Sequence, residues 1–269
     1  MGLLDGRVAV ITGGSRGMGA TEARLFAREG ASVVICDVLE DEGRALAAEI
    51  SSSGPKAWFH ALDVSQQSHW ATLIAFLSET FGRVDVLINN AGITHRAGTH
   101  NTSLAEWEKV LAINLTGAFL GIKGLSPLMR EGGRGSIVNI ASIAGLSGYH
   151  SVSYGTSKWG MIGLTKSAAI ELVDWKIRVN AVCPGVIDTP LARNSPINYN
   201  TTIGMIPQGR AGQPEEIAQL VLFLASDNAS FITGEDIAID GGMMGGGLFR
   251  HIARETGVFP KQGSGDRAG

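Results

Sequence analysis

The sequence predicts a doubly wound α/β fold, in which a seven-stranded parallel sheet carries helices on both faces within one domain. Seven short apolar, β-rich segments alternate with stretches of helical periodicity, and this alternation is typical of parallel sheets. Some of these segments, such as residues 84–88, are apolar almost throughout, as strands covered on both faces are. The 37 glycines fall mainly at the ends of apolar segments, where a layered fold turns tightly. No separate substrate domain is expected.

Composition narrows the class of protein. With 44% hydrophobic and 17% charged residues, the 269-residue chain can bury a sizeable core. Its net charge of −3, without a block of like charges, argues against a nucleic acid or a membrane surface as the main partner. The N-terminus lacks a signal peptide, and we expect no apolar run near the ~20 residues of a membrane span. Cys36 and Cys183 lie in predicted strands, which suits buried free thiols and the cytoplasm. The histidines lack metal-ligand spacing, so no metal site is assigned.

The first unit is a strand over residues 8–11, a glycine-rich loop over 12–19 and an amphipathic stretch to residue 29. This order is the context in which a glycine motif binds a dinucleotide. Missing side chains let the backbone approach a pyrophosphate, and the N–H groups that open the helix receive its charge. A glycine-rich turn that binds nothing is the alternative, and the βα alternation that follows makes it the less favoured one. The motif contains Gly13, Gly17 and Gly19.

The second strand, over residues 32–37, ends in Asp37. A carboxylate at this point can accept hydrogen bonds from an adenosine ribose and would repel a 2′-phosphate, so it favours NAD over NADP. Val38 supplies no cation for a phosphate, although Arg16 in the glycine loop could. Asp37 could also cap the helix that begins near residue 40, and this structural role is compatible with cofactor binding.

The alternation continues to a strand that closes on two adjacent amides, Asn89 and Asn90, followed by Ala91 and Gly92. These amides could brace the sheet through backbone hydrogen bonds or line the cofactor, and both roles stay open. The elements before them are predicted as a helix over 40–52, a strand over 57–62 ending at Asp63 and Val64, a helix over 66–81 and a strand over 84–88.

A long helix is predicted over residues 104–129, with Asn114 inside it. An amide among apolar neighbours costs free energy unless its hydrogen bonds are satisfied. One interpretation is a helix kink held by the side-chain amide, and the other is a proton relay that holds water.

Tyr154 and Lys158 carry the main chemical signal, on a helix predicted over residues 153–173. A spacing of four places the phenol and the ammonium on one helix face, about 6 Å apart at Cβ. A cation beside a phenol lowers its pKa from ~10 towards neutrality, which suits a general acid/base. Alone, such a pair is common on the exposed surface of a helix and does not indicate catalysis. Ser142 follows the strand over 137–140, at the carboxyl edge where open parallel sheets bind ligands.

The last third of the chain holds a strand over residues 177–183 that Pro184 and Gly185 end, which suits a loop around the nicotinamide. Residues 190–213 have weak periodicity and are interpreted as a lid over the substrate, with a plain surface insertion as the alternative. A helix over 214–225 and a last strand over 236–239 follow. Residues 1–242 would form the domain and 243–269 an extension, weakly helical at 249–255 and then polar, disordered or draped on a neighbour.

Taken together, these motifs resemble the short-chain dehydrogenases/reductases in their order and spacing over about residues 5–242. The resemblance implies a Rossmann fold and an NAD-dependent alcohol dehydrogenase or ketoreductase. Residues 153–160 and 37–39 look most like the bacterial NAD-dependent hydroxysteroid and cyclic-alcohol dehydrogenases. The expected substrate is therefore a hydrophobic cyclic, steroid-like or aryl secondary alcohol, or its ketone.

The resemblance also implies roles for single residues. Tyr154 would be the general acid/base, Lys158 would lower its pKa and hold the nicotinamide ribose, Ser142 would bind the substrate oxygen, and Asn114 would position a water. Further cofactor contacts are implied for Arg16, Met18, Asp37, Asp63, Val64, Asn90, Ala91, Gly92, Pro184, Gly185, Ile187 and Thr189.

Partners and specificity are the least defined. The family commonly forms homotetramers through its two long helices, and it usually ends near the last strand, so the extension is a candidate for closing a neighbouring pocket. The substrate pocket is predicted to include Ile143, Leu146, His150, Leu191 and Met205.

An NADP-dependent 3-oxoacyl-carrier-protein reductase is an alternative function, but no basic residue adjoins Asp37 and no basic docking patch is visible. A catalytically inactive NAD(H) sensor is another, and the intact set of Asn114, Ser142, Tyr154 and Lys158 counts against it.

Overall fold

The protein folds around a seven-stranded sheet in which every neighbouring pair of strands is parallel, in the order β3-β2-β1-β4-β5-β6-β7. A computed structural model describes residues 2–52, 54, 56–193 and 199–259. The strand order reverses between β1 and β4, and ligands of open α/β sheets bind at such a point. The strands are β1 Val8–Thr12, β2 Ser32–Asp37, β3 Ala57–Ala61, β4 Val86–Asn89, β5 Gly135–Ile140, β6 Ile177–Pro184 and β7 Asp236–Ile239.

Helices cover both faces of the sheet, which confirms the predicted fold class. The α-helices are α1 Gly17–Arg28, α2 Glu40–Ser52, α3 Gln67–Phe81, α4 Leu104–Leu111, α5 Gly117–Glu131, α6 Val152–Leu172, α7 Pro190–Arg193, α8 Tyr199–Gly204, α9 Pro214–Ala225 and α10 Leu248–Glu255. Alternate residues of β1 pack against helices on opposite faces of the sheet, because successive side chains of a strand point to opposite faces. Ala9 and Ile11 pack with α1, α2 and α9, whereas Val8 and Val10 pack with α3, α5 and α6.

The long helix predicted over residues 104–129 is two helices, α4 and α5, joined by a π-helical turn at Ala112–Thr116. By length and composition the combined run Leu104–Glu131 could cross a membrane, which the sequence analysis did not anticipate. A core helix of a globular protein passes the same test. Here α5 packs against α3, β4 and β5, and the turn encloses the fully buried Asn114, whereas only Val110 of α4 is buried. Helix α5 and the turn are therefore packed into the core.

The segment predicted as a lid begins and ends close to the loop after β6. It contains the short helices α7 and α8, and residues 194–198 between them lie outside the described part of the chain. Its last residue but one, Gly212, bonds to that loop through Val186 and Asp188, at 2.9 and 2.8 Å. The extension forms a π-helical turn at Met243–Gly247 and then α10. The division at residue 242 and the nature of the polar tail stay predictions, since residues 260–269 are also outside the described part.

Candidate active site

The glycine loop between β1 and α1 is shaped to bring backbone N–H groups to a ligand. Gly13 and Gly17 adopt left-handed φ angles of 61° and 55°, which favour glycine. A Cβ at Gly19 would lie 2.4 Å from the Gly13 carbonyl oxygen, so this close approach excludes a side chain. The residue before α1, Arg16, makes no side-chain cap. The first N–H groups of α1 therefore have no capping side chain, and such groups bind a pyrophosphate well.

The two adjacent asparagines at the end of β4 have different roles. The Asn89 side chain is buried and donates to the Asn139 side-chain oxygen at 2.8 Å, which braces β4 against β5. The Asn90 side chain donates to the carbonyl oxygens of Thr12 and Gly13, at 3.0 and 2.9 Å. Asn89 thus stabilises the sheet, and Asn90 holds the glycine loop in place.

Asp37 fastens the glycine loop to the end of β2. Its carboxylate accepts hydrogen bonds from the Ser15 N–H at 3.0 Å and from the Leu39 N–H at 3.1 Å. Arg16 forms an ion pair with Glu42 in the first turn of α2, with the arginine side chain 67% exposed. The cation that could receive a 2′-phosphate is therefore already partnered by a carboxylate.

A cavity of about 630 Å³ runs along the carboxyl edge of the sheet from these residues towards β4. Its volume is in the range of small-molecule and cofactor sites, and its lining, which includes the glycine loop and Asp37, fits a dinucleotide. Of the predicted cofactor residues it is lined by Gly13, Arg16, Gly17, Met18, Asp37, Asp63, Val64, Asn90, Ala91, Gly92 and Thr189. Pro184, Gly185 and Ile187 lie beyond it and line a second cavity.

Lys158 is buried on α6, with its Nζ 5.6 Å from the centroid of the Tyr154 ring. The amine donates to the Ile140 carbonyl oxygen at 2.7 Å, which ties α6 to the end of β5. Burial disfavours the charged ammonium and lowers the pKa of Lys158 to about 8. Lys158 can therefore change its charge near neutral pH.

Tyr154 has its pKa raised, because burial disfavours the phenolate. A hydrogen bond with Ser142 and the positive charge of Arg96 act in the opposite direction. We expected Lys158 to lower this pKa, but burial is the dominant effect and the Lys158 amine is engaged by the Ile140 carbonyl. The phenol is consequently protonated at neutral pH and can act as a proton donor.

The Asn114 side chain makes three hydrogen bonds, two with the Ile93 backbone and one with the Ser157 hydroxyl. Its oxygen accepts from the Ile93 N–H at 2.8 Å, and its nitrogen donates to the Ile93 carbonyl at 2.9 Å and to the Ser157 hydroxyl at 3.0 Å. A Cβ at Gly92 would lie 3.4 Å from the Asn114 oxygen and 3.7 Å from the Lys158 nitrogen. Asn114 therefore holds the irregular helix turn, as one interpretation predicted, and also lies near Lys158, as the relay requires.

A second cavity, of about 400 Å³, opens beside Tyr154 and Ser142. Ile143 and His150 line it, as predicted for a substrate pocket. Leu146 instead packs in a small core cluster with Ala141 and Met161. Met205 is half-buried and is not among the residues that line the cavity. The side chain of Leu191 lies outside the described part of the chain.

The sequence analysis missed several residues of this second cavity, including Thr94, Arg96, Tyr149 and Met243. The available signal for the first two was their position just after a strand at the carboxyl edge, where ligands bind. Among the described residues, no cluster of three or more His, Cys, Asp or Glu side chains has the arrangement of a metal site.

Comparisons with known proteins agree on the family. The profile described as Enoyl-(Acyl carrier protein) reductase matches residues 13–244. The chain is 45% identical to trans-4-hydroxycyclohexanecarboxylate dehydrogenase of Sinomonas cyclohexanicum, with 92% of this chain and 96% of that protein covered. It is 42% identical to 3-alpha-(or 20-beta)-hydroxysteroid dehydrogenase of Mycobacterium tuberculosis, with 91% and 92% covered. A solved short-chain type dehydrogenase/reductase from Mycobacterium marinum superposes with a TM-score of 0.85 at 36% identity, covering 89% of this chain and 96% of that one.

Proposed function

Since the chain belongs to the short-chain dehydrogenase/reductase family, we propose that it transfers a hydride between NAD and a ring-containing secondary alcohol or its ketone. The observation that carries this proposal is the position of Tyr154 and Ser142. They line the second cavity where it adjoins the cavity that fits a dinucleotide, and Met18 and Thr189 line both. A substrate in the second cavity would therefore meet the phenol, the hydroxyl and the nicotinamide end of a cofactor together.

Each catalytic side chain has a distinct task in this mechanism. NAD(H), when bound, supplies or accepts the hydride. The Tyr154 phenol exchanges a proton with the substrate oxygen, and the Ser142 hydroxyl binds that oxygen and orients it. The Lys158 amine can gain or lose a proton during this transfer, because its pKa is about 8. Asn114 fixes the loop after β4 and the helix that carries Tyr154, so it positions the other groups.

Preference for NAD over NADP is supported by the acidic adenosine end of the cavity. Asp37 and Asp63 line it, and Glu42 pairs with Arg16 at its rim. Helix α2 also begins with Glu40 and Asp41. A 2′-phosphate brought to this end would face several carboxylates and one arginine that is already paired, whereas a ribose hydroxyl could donate to Asp37.

A ring substrate is supported by the second cavity and by the relatives. Its walls combine apolar side chains such as Ile143, Val186 and Met243 with the hydroxyl groups of Ser142 and Tyr154. Pockets of this kind bind apolar molecules that carry a few polar groups. The names of the two relatives refer to a hydroxycyclohexanecarboxylate and to hydroxysteroids, which are ring alcohols.

We further propose that the enzyme works in the cytoplasm as a homotetramer. The two long helical regions expose large apolar side chains: Phe119 on α5 is 46% exposed, and Trp159 and Ile170 on α6 are 53% and 79% exposed. Large exposed apolar side chains of this kind are common at subunit interfaces. Helix α10 also exposes Leu248 and Phe249, and this extension is proposed to cover the pocket of a neighbouring subunit. Both cysteines are free and buried, which suits a reducing compartment.

The proposal is tested first by fluorescence titration with NADH and NADPH, followed by turnover with a panel of ring alcohols, acyclic alcohols and a 3-oxoacyl thioester. We expect tighter binding of NADH and the fastest oxidation among ring alcohols. Preference for NADPH with turnover of the thioester would identify an acyl-carrier-type reductase instead. Tight NADH binding without turnover of any carbonyl or alcohol would favour an NAD(H) sensor.

A further inference from the structure

We propose that Arg96 binds a carboxylate on the substrate, so that the preferred substrates are hydroxylated ring carboxylic acids. This inference rests on the proposed function, because it places the ring alcohol in the second cavity with its hydroxyl at Tyr154. Arg96 lies on the loop between β4 and α4, and it lines both cavities. The proposal thus assigns a specificity role to a residue outside the catalytic set.

The loop that carries Arg96 is anchored to the start of the catalytic helix on both sides of this residue. The Ser151 hydroxyl donates to the His95 carbonyl oxygen. The Val152 N–H donates to the Ala97 carbonyl oxygen at 3.2 Å. Because Ser151 immediately precedes α6 and Val152 is its first residue, two positions before Tyr154, these bonds fix the Arg96 backbone relative to the general acid/base. A substrate group bound by Arg96 would therefore stand at a set distance from the reacting oxygen.

The charges around the second cavity favour an anion. Arg96 lines it, and the described residues that line it include no aspartate or glutamate. The charge of Arg96 also opposes the rise in pKa of both Tyr149 and Tyr154, so its field reaches the part of the cavity where the substrate would react.

A carboxylate on a ring fits this arrangement better than a neutral group. A guanidinium is planar and can donate two parallel hydrogen bonds to a carboxylate. The Tyr149 ring lies 5.8 Å from the Tyr154 ring and 4.3 Å from the His150 ring, and these aromatic groups form one wall of the cavity. An apolar ring can pack against this wall while its hydroxyl faces Tyr154 and its carboxylate faces Arg96.

The test compares 4-hydroxycyclohexanecarboxylate with its methyl ester, two substrates that share the ring and the hydroxyl but differ in charge. The wild-type enzyme should oxidise the acid with a kcat/KM that exceeds that of the ester by roughly tenfold to a hundredfold, the usual effect of a hydrogen bond to a charged group. Arg96→Gln should lower the ratio of kcat/KM for the acid to that for the ester to about one, mainly by raising KM for the acid, while the affinity for NADH stays near the wild-type value. Loss of the Arg96 charge would act through the pKa of Tyr154 equally on both substrates, so this ratio is the measure. Arg96→Lys should restore part of the preference, because it keeps the charge but not the planar fork. Arg24→Gln, which removes an exposed arginine paired with Glu49 on the outer surface, is the control and should change nothing.

Three results would overturn the inference: equal use of acid and ester by the wild type, an equal loss on both substrates in Arg96→Gln, or a loss of NADH affinity in that variant. The last result would assign Arg96 to the cofactor. Failure of the proposed function is distinguishable, because no ring alcohol would then be oxidised by the wild type. In that case calorimetric titration with cyclohexanecarboxylate still decides the inference, which requires binding to the wild type and at least tenfold weaker binding to Arg96→Gln.

Discussion

The side-chain nitrogen of Asn114 donates to the Ser157 hydroxyl at 3.0 Å, and that hydroxyl donates to the Tyr154 carbonyl oxygen at 2.7 Å. Asn114 also holds both polar groups of the Ile93 backbone. One fully buried amide therefore connects the irregular turn between α4 and α5, the loop after β4 and the helix that carries Tyr154. Its removal should affect stability and catalysis together.

Asn114→Leu tests this connection. The variant leaves the Ile93 backbone groups and the Ser157 hydroxyl without this partner, and each unsatisfied buried group costs about 1–3 kcal/mol. We expect a free energy of unfolding lower by at least that amount in urea titrations, together with a lower kcat. Asn228→Ala, which truncates an exposed residue, should preserve both quantities. Wild-type stability in Asn114→Leu would show that the amide does not hold these elements.

Tyr154→Phe tests the general acid/base. The variant keeps the ring and removes only the hydroxyl, so kcat should fall by about 10²–10⁴-fold, the usual contribution of acid–base catalysis. The dissociation constant for NADH, measured by fluorescence, should stay close to the wild-type value. The matched control is Tyr149→Phe, which removes a hydroxyl from the neighbouring ring and should retain most of kcat. Equal turnover by wild type and Tyr154→Phe would exclude the mechanism.

Glu42→Gln tests the origin of cofactor preference. It releases Arg16 from its ion pair, so Arg16 can approach a 2′-phosphate, and the affinity for NADPH should rise about two- to fivefold, as expected for an exposed pair. The affinity for NADH should change little. Fluorescence titration with both cofactors at low salt measures this effect. Glu49→Gln removes an exposed carboxylate that pairs with Arg24, and it should leave both affinities unchanged. A gain for NADPH in both variants would indicate a general charge effect.

Glu22→Gln tests a buried carboxyl group in α1. Glu22 is fully buried, and no described residue hydrogen-bonds its carboxylate; burial raises its pKa from 4.5 to about 8. Between these pH values the folded protein binds more protons than the unfolded chain, so wild-type stability falls as pH rises from 4.5 to 8. Glutamine mimics the neutral acid and lacks this loss. The variant should match the wild type near pH 4.5 and exceed it by on the order of 3 kcal/mol at pH 8.

Urea unfolding at several pH values between 4.5 and 8 measures that difference. Glu131→Gln, at an exposed position, serves as the control and should follow the wild-type pH dependence. Parallel stability curves for Glu22→Gln and the wild type would contradict the assignment of a raised pKa.

Local patterns predicted the strands, the glycine loop and most helices, because these depend on nearby residues and on the alternation of apolar segments. Apolar periodicity continues through the π-helical turn at Ala112–Thr116, so the sequence predicted one helix, with a kink held by Asn114 as one of two interpretations. The π-helical form itself could not be predicted, because Asn114 holds the turn by bonding to a distant loop. The spacing of Tyr154 and Lys158 predicted their shared helix face. It did not predict that burial raises the pKa of Tyr154 and lowers that of Lys158. Burial depends on tertiary packing, and the Ile140 carbonyl that engages Lys158 belongs to a separate strand.

Arg96 was missed for a related reason. The loop sequence around it has no periodicity, and its position depends on bonds from Ser151 and Val152, which are far away in the chain. Leu146 was predicted to line the pocket, but it packs in a small core cluster. Side-chain direction in loops follows from such long-range contacts.

The bonds that anchor the loop after β4 have a consequence for divergence within the family. They are accepted by backbone carbonyl oxygens of His95 and Ala97, and Asn114 likewise bonds to the backbone of Ile93. None of these bonds uses the side chain of Thr94 or Arg96, and both residues line the second cavity. Substitution at these two positions can change which alcohol is accepted while the proton-transfer machinery keeps its geometry. The loop thus gives the fold a place where new substrate ranges can arise by single mutations.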